Sequence, residues 1–250
     1  ANPEITTWGV VSFNSAGSLD VVNFLAHGIR EQYKSVADAD VTILDPILLA
    51  PDQTDFRGAI SQLMNSPAQG LICGVTGGGA ISLYSQGHSL GWQPKIQMIQ
   101  DSGIEIEIGK ALGRRTPTNI NSTIMWYHGA HPDNEMNKTL FDGYVAKAGN
   151  ELPSGYVERG YTTVHTYCAA IAAAGTDDPE TLIEVMEETE FQSPKGPFRF
   201  RKEDHQYVGE VGNIRLDPAE NEAGWQISDY FAAPGTDLVE PASPGEEFTL

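Results

Sequence analysis

The sequence predicts an α/β protein built on a parallel sheet. Short apolar runs of strand length recur along its first half: Trp8 to Phe13 (WGVVSF), Val41 to Leu44, Gly70 to Val75 (GLICGV) and Lys95 to Ile99. Between them lie stretches whose apolar residues fall at helical spacing, such as Val22, Leu25, Ala26, Ile29 and Tyr33. Strands separated by whole helices are joined by crossovers, and crossovers produce parallel strands covered on both faces.

In order, the first strand leads into a helix over Leu19 to Tyr33, and the second strand follows. Thr54 or Asp55 is the expected N-cap of a helix carrying Phe56, Ile60 and Leu63. The third strand is followed by a helix over Ala80 to Leu90 and then by the fourth strand. Ile104 to Ile108 alternates Ile and Glu as a strand would, yet runs into Gly109-Lys110-Ala111-Leu112 as a helix would, and both options stay open. After Ile124-Met125-Trp126 the pattern changes to consecutive helices at Asn134 to Ala148, Tyr156 to Ala174 and Pro179 to Glu188. The last has a strong start, because Asp178 can cap it, Pro179 suits its first turn and Glu180 complements its dipole. Pro197 to Arg201, Gly212 to Leu216 and Trp225 to Phe231 read as short strands, and Ala232 to Leu250 as an extended acidic tail.

With 250 residues, 40% of them hydrophobic, the chain can bury a sizeable core in one large domain or two modest lobes. Its 34 acidic and 15 basic residues give a formal charge of −19. Such a body repels polyphosphate and anionic lipid, which argues against nucleic acid and membrane surfaces as partners. No apolar run approaches the roughly 20 residues of a membrane span. Cys73 and Cys168 are either buried free thiols or bridged to one another.

Ligands bind outside the carboxyl ends of an open parallel sheet, so the segments of interest are Asn14 to Ser18, Thr76 to Gly79 and Gln100 to Gly103. Gly77-Gly78-Gly79-Ala80-Ile81-Ser82 has Ser where the third glycine of a dinucleotide fingerprint belongs, so it reads as a tight turn approaching a small ligand. Gly103 to Ala111 fails as a phosphate-binding loop through its spacing and its missing hydroxyl. His128 and His131, with Asp133 and Glu135 nearby, lack a further partner at zinc spacing, and no metal or cofactor is expected. His165 reads as a hydrogen-bonded core or interface histidine. Nucleophile elbow, paired zinc histidines and Cys-x-x-Cys are all absent, so nothing points to an enzyme.

A longer succession is more informative. It runs through Asn137 to Phe141, Tyr144, Lys147 to Gly149, Pro153, Gly160-Tyr161, Ala169 to Gly175, Ser193 to Pro197, Arg201 and Asp204 to Gln206. This succession resembles the same order in type I periplasmic solute-binding proteins of the branched-chain amino acid (Leu/Ile/Val) ABC-transporter receptor family. Asn14 to Gly17, Asp55-Phe56 with Ile60 and Ser66-Pro67, and Gly87 with Leu90-Gly91 are similar to earlier segments of that family.

The resemblance implies two Rossmann-like lobes joined by a hinge. It assigns 1–127 with 208–231 to the second lobe and 128–207 to the helical part of a first lobe that lacks its N-terminal sheet. It also implies a small polar ligand, an amino acid or a small carboxylate or aromatic acid, enclosed by hinge closure and delivered to an ABC permease. The location would be periplasmic or extracellular, membrane-associated through the transporter. A ligand-sensing domain of a signalling receptor is the alternative. Carried over residue by residue, the resemblance puts pocket walls at Phe13, Asn14, Ala16, Thr76, Gly77 and Tyr156, and gives Asp101 the ligand's ammonium.

Overall fold

The computed structural model describes residues 2–149 and 152–242. The described residues form two compact units: 2–123 with Ile214–Asp229, and the described residues of Ile124–Asn213 with those from 230 to 242.

Unit 1 is the α/β body. Its elements are β1 (Thr7–Phe13), α1 (Ala16–Ala37), β2 (Thr42–Ile43), β3 (Ile47–Leu49), α2 (Arg57–Asn65), β4 (Gly70–Gly74), α3 (Gly77–Ser89), β5 (Met98–Asp101), α4 (Glu107–Leu112) and β6 (Ile120–Ile124). β10 (Val211–Pro218) and β11 (Trp225–Ala233) complete the sheet, whose order is β11-β10-β6-β5-β4-β1-β2, with β3 also paired to β1. β1 runs parallel to β2, β3 and β4, β4 parallel to β5, and β5 parallel to β6. Every residue of β4 is buried, as are the last six of β1, which is why both read as continuous apolar runs. Ile5, Trp8, Val10, Val22, Ala26 and Ile72 form one core between sheet and helix. Each large side chain in it contributes about 1.5–3 kcal/mol of hydrophobic free energy. Trp8 satisfies its only side-chain donor by bonding the Ile5 carbonyl at 3.1 Å.

Several boundaries differ from expectation, each for a local reason. The second strand is interrupted at Asp45-Pro46, where proline has no amide for the ladder, and it resumes as β3 beside Val11 to Phe13. α2 starts after Phe56 instead of being capped by Thr54 or Asp55. Asp55 accepts from the Arg57 amide and guanidinium, while the Phe56 amide is taken by Gln86. β5 begins at Met98 because the Lys95 ammonium holds the Ser66 carbonyl at 2.6 Å and Ile96 closes a turn onto Trp92. Glu105, at φ 59°, ends the Ile/Glu alternation, and the segment continues as α4.

Unit 2 contains α5 (Glu135–Ala148), α6 (Gly155–Ala174), α7 (Pro179–Glu188) and an antiparallel sheet of β7 (Phe191–Ser193), β8 (Gly196–Phe200) and β9 (Tyr207–Val208). Asn134 caps α5 and Asp178 caps α7 through their side chains. β7 and β9 are too short to show a periodicity. They are held by an aromatic cluster in which Phe198 meets Phe191, Phe200 and Tyr207 at centroid distances of 5.0–5.7 Å. The expected tail starts inside β11, which ends at Ala233, and then makes a 3-10 turn at Gly235–Asp237. Its last part, 243–250, lies outside the described residues.

Glycines separate packing from helix propensity. A Cβ on Gly109 would stand 2.3 Å from the buried indole of Trp225, whereas Gly28, exposed in the middle of α1, has open space around it. Gly109→Ala is expected to cost about 1–3 kcal/mol, and Gly28→Ala to add about 0.5–1 kcal/mol. Urea unfolding of both variants checks the pair, and a loss at Gly28 with none at Gly109 would contradict this packing.

Candidate functional site

β1, β4 and β5 are neighbours in a parallel sheet, so their carboxyl ends emerge along one edge of unit 1. The strands approach closely there. A Cβ on Gly74 would lie 2.4 Å from Ser12 Oγ and 2.5 Å from Val22, so only glycine fits where β4 passes between β1 and α1. This packing sends the two chains outward side by side, one as Asn14-Ser15-Ala16 and the other as Thr76-Gly77.

Five of the expected residues therefore meet at this edge. The Phe13 ring is buried against α3, with its Cζ where a Cβ on Gly79 would come within 2.9 Å, and it forms the floor beneath the start of that helix. Asn14 ties its amide to the Leu49 carbonyl at 2.8 Å and leaves its carboxamide exposed. Ser15 caps α1, and Ala16 is exposed in its first turn. Thr76 is exposed at the N-cap of α3 and its hydroxyl makes no capping bond. Gly77 takes φ 56°, a left-handed conformation that favours glycine. The triglycine expected to be a turn is thus the first turn of α3, and its amides carry the positive end of the helix dipole without a side-chain cap.

Asp101 is placed differently from the expectation. Its side chain is wholly buried, and four donors of the protein occupy the carboxylate: Tyr84 Oη at 2.5 Å on one oxygen, and Gly103 N at 2.9 Å, Ile104 N at 2.8 Å and Ser122 Oγ at 2.9 Å on the other. A ligand ammonium has no access to it. Burial still holds its carboxyl above the ordinary value of 3.8, against the opposing effect of these hydrogen bonds. Sequence reasoning passed over its neighbour. Ser102, half-buried at the same edge, has a buried hydroxyl with no hydrogen-bond partner among the described residues. The loop from Gln100 to Gly103 was the available signal. Tyr156 belongs to unit 2, exposed in the first turn of α6.

The remaining candidates have structural roles. His128 stacks on Phe141 with centroids 4.1 Å apart, and His131 pairs with Glu210 at 2.8 Å. Among the described residues no three His, Cys, Asp or Glu side chains are grouped to hold a metal ion. Both cysteines are free: burial pushes the Cys73 thiol up to about 12, and Cys168, contrary to expectation, is exposed. His165 is exposed and lies against Tyr161 instead of sitting in a core.

If Asp101 organises the loop, Asp101→Ala removes the acceptor shared by four protein donors on β6, α3 and the loop, and is expected to cost about 3 kcal/mol or more in urea unfolding. A loss below about 1 kcal/mol would return Asp101 to the surface. The pH dependence has a definite sign. The folded value of Asp101 is raised, so its protonation stabilises the fold fully below pH 3.8, and that contribution is lost as pH rises through the folded value. Stability relative to Asp101→Asn should therefore fall as pH increases through this window.

Three solved structures share the fold. An amino acid ABC transporter substrate-binding protein from Pseudomonas fluorescens Pf-5 is 17% identical, with TM-score 0.72, over 93% of this chain and 61% of its own. A leucine-, isoleucine-, valine-, threonine- and alanine-binding protein from Brucella ovis, in a closed conformation, is 16% identical with TM-score 0.73, over 96% and 61%. A solute-binding protein of an ABC transporter from Rhodopseudomonas palustris BisB5, in complex with 3,4-dihydroxybenzoic acid, is 18% identical with TM-score 0.71, over 92% and 61%. The chain spans about three fifths of the length of each. A family model for periplasmic binding proteins matches residues 1–220, and the chain accordingly belongs to the periplasmic binding protein family, with the α/β architecture of its type I members.

Proposed function

We propose that this chain serves in an extracytoplasmic solute-binding protein of an ABC importer, taking an amino acid or related small carboxylate at the carboxyl edge of unit 1. The observation that carries the reading is the edge itself. The Asn14 carboxamide, the Thr76 hydroxyl, the uncapped amides at Gly77 to Gly79 and the unpartnered Ser102 hydroxyl lie on neighbouring strand ends, with the Phe13 ring beneath. Amides at a helix start favour an anionic group, as a carboxylate ligand requires. The ligands named for the relatives, amino acids and 3,4-dihydroxybenzoic acid, all carry one.

In this reading unit 1 is the second lobe and unit 2 the helical part of the first. The chain passes between the units at 123/124, 213/214 and 229/230, three crossings that suit a hinge. The binding step makes and breaks no bond. Ligand contact with both lobes favours the closed state, and a membrane permease recognises that state. No described helix is long and apolar enough to cross a membrane, and the permease supplies the passage.

Calorimetry of the chain against the amino acids and small aromatic acids tests the reading. For a ligand that binds, Thr76→Ala combined with Ser102→Ala is expected to weaken affinity about tenfold, the equivalent of roughly 1.4 kcal/mol. Unchanged affinity would remove the edge from the site, and turnover of the ligand would overthrow the transport reading.

A further inference from the structure

Helix α6 is inverted. Its buried stripe is Gly155, Glu158, Thr162, Thr166 and Ala170, polar at its centre, while apolar side chains such as Val164 and Tyr167 are exposed. The polar stripe borders a cavity of about 280 Å³ lying wholly within unit 2. Phe198 and Phe200 of β8, Tyr207 of β9 and Met186 of α7 supply apolar walls. The size falls just below the usual range of roughly 300–1,000 Å³ for pockets that hold drug-sized ligands, so a single aromatic ring is the scale that fits.

The charges around this cavity do not balance. Glu158 and Lys195 are both nearly buried, their side chains 3% and 6% accessible, and lie 4.0 Å apart. The Thr162 hydroxyl donates to Glu158 at 2.5 Å, and the Lys195 ammonium also donates to the Glu210 carbonyl at 3.1 Å. The Glu158 carboxylate is thus one negative charge beside two cations, Lys195 and the neighbouring Arg159. Arg159, the next residue of α6, is exposed, with its guanidinium 5.5 Å from the centroid of the Tyr207 ring. Its side chain donates to Met125 Sδ at 3.0 Å, a weak acceptor, and no carboxylate of the described residues pairs with it. In a chain with 34 acids and 15 bases, an arginine left with a thioether and an aromatic face keeps its capacity for a bidentate anion.

We propose that this cavity is a second ligand site, separate from the edge of unit 1, for a small monoanion with a flat apolar body of about one ring. The body lies among Phe198, Phe200 and Tyr207. The anionic group meets Arg159, with the Lys195 ammonium adding positive potential behind it.

Benzoate is the probe, with uncharged benzamide and cationic benzylamine as matched shapes, each titrated calorimetrically into the chain. Benzoate should bind, benzamide at least about tenfold more weakly, and benzylamine not at all. Arg159→Gln, at an exposed position and expected to keep the circular dichroism of the parent chain, should weaken benzoate about tenfold. Thr163→Phe, at an exposed wall position, should block it. The benzoate-binding component that Arg159→Gln weakens should persist in Thr76→Ala with Ser102→Ala, whatever benzoate the edge itself takes, which keeps this site distinguishable from the edge. Absence of benzoate binding, equal binding of benzoate and benzamide, a binding isotherm unaltered by Arg159→Gln or Thr163→Phe, or loss of that same component in the edge variant would each overturn the proposal.

Discussion

The buried carboxylate of Asp101 is the interaction on which the functional edge depends. It lies at the last residue of β5 and receives hydrogen bonds from α3 through Tyr84, from β6 through Ser122, and from the two amides that turn the chain at Gly103 and Ile104. The Tyr84 bond ties α3 to the end of β5, and Thr76 and the glycine amides stand at the start of that same helix. A carboxylate so placed is costly to desolvate, and its cost is offset only while every donor stays in position. Burial raises its pKa, and the same burial pushes the Tyr84 hydroxyl well above its ordinary range.

Two nearly buried carboxylates thus have opposite surroundings. Asp101 is closed in by protein donors, so its carboxylate orders the chain after β5 and faces no open volume. Glu158 borders open volume, with one threonine and one lysine for company, and the uncompensated charge nearby is a cation. A body of strongly negative net charge repels anions at long range, so an anion reaching either unit needs local donors. At the edge these are helix amides and hydroxyls, and at the α6 cavity they are Arg159 and Lys195.

Much of the fold was legible in the residues themselves, because β1 and β4 are buried on both faces and read as unbroken apolar runs. The helix start at Asp178 was equally plain, since its side-chain chemistry acts locally. What local pattern could not show was set by distant partners. β3 exists through its pairing with β1, β9 through the aromatic face of Phe198, and the start of β5 through the grip of Lys95 on Ser66. The candidate site was legible to the same degree. Strand-end logic pointed to the edge where Asn14, Thr76 and Gly77 lie, but whether an acid at a strand end turns inward or outward depends on Tyr84 and Ser122, far away in sequence. For the same reason Ser102 could be placed in the right loop but not given a role.

Amide-resolved NMR during titration with L-leucine and with 4-hydroxybenzoate tests whether a small carboxylate is captured at the edge of unit 1. The amides of Asn14 to Gly17, Gly77 to Gly79 and Ser102 should move with at least one of these probes. If both leave those amides unmoved, or if every shift falls among residues 155–208, the edge is not the solute site.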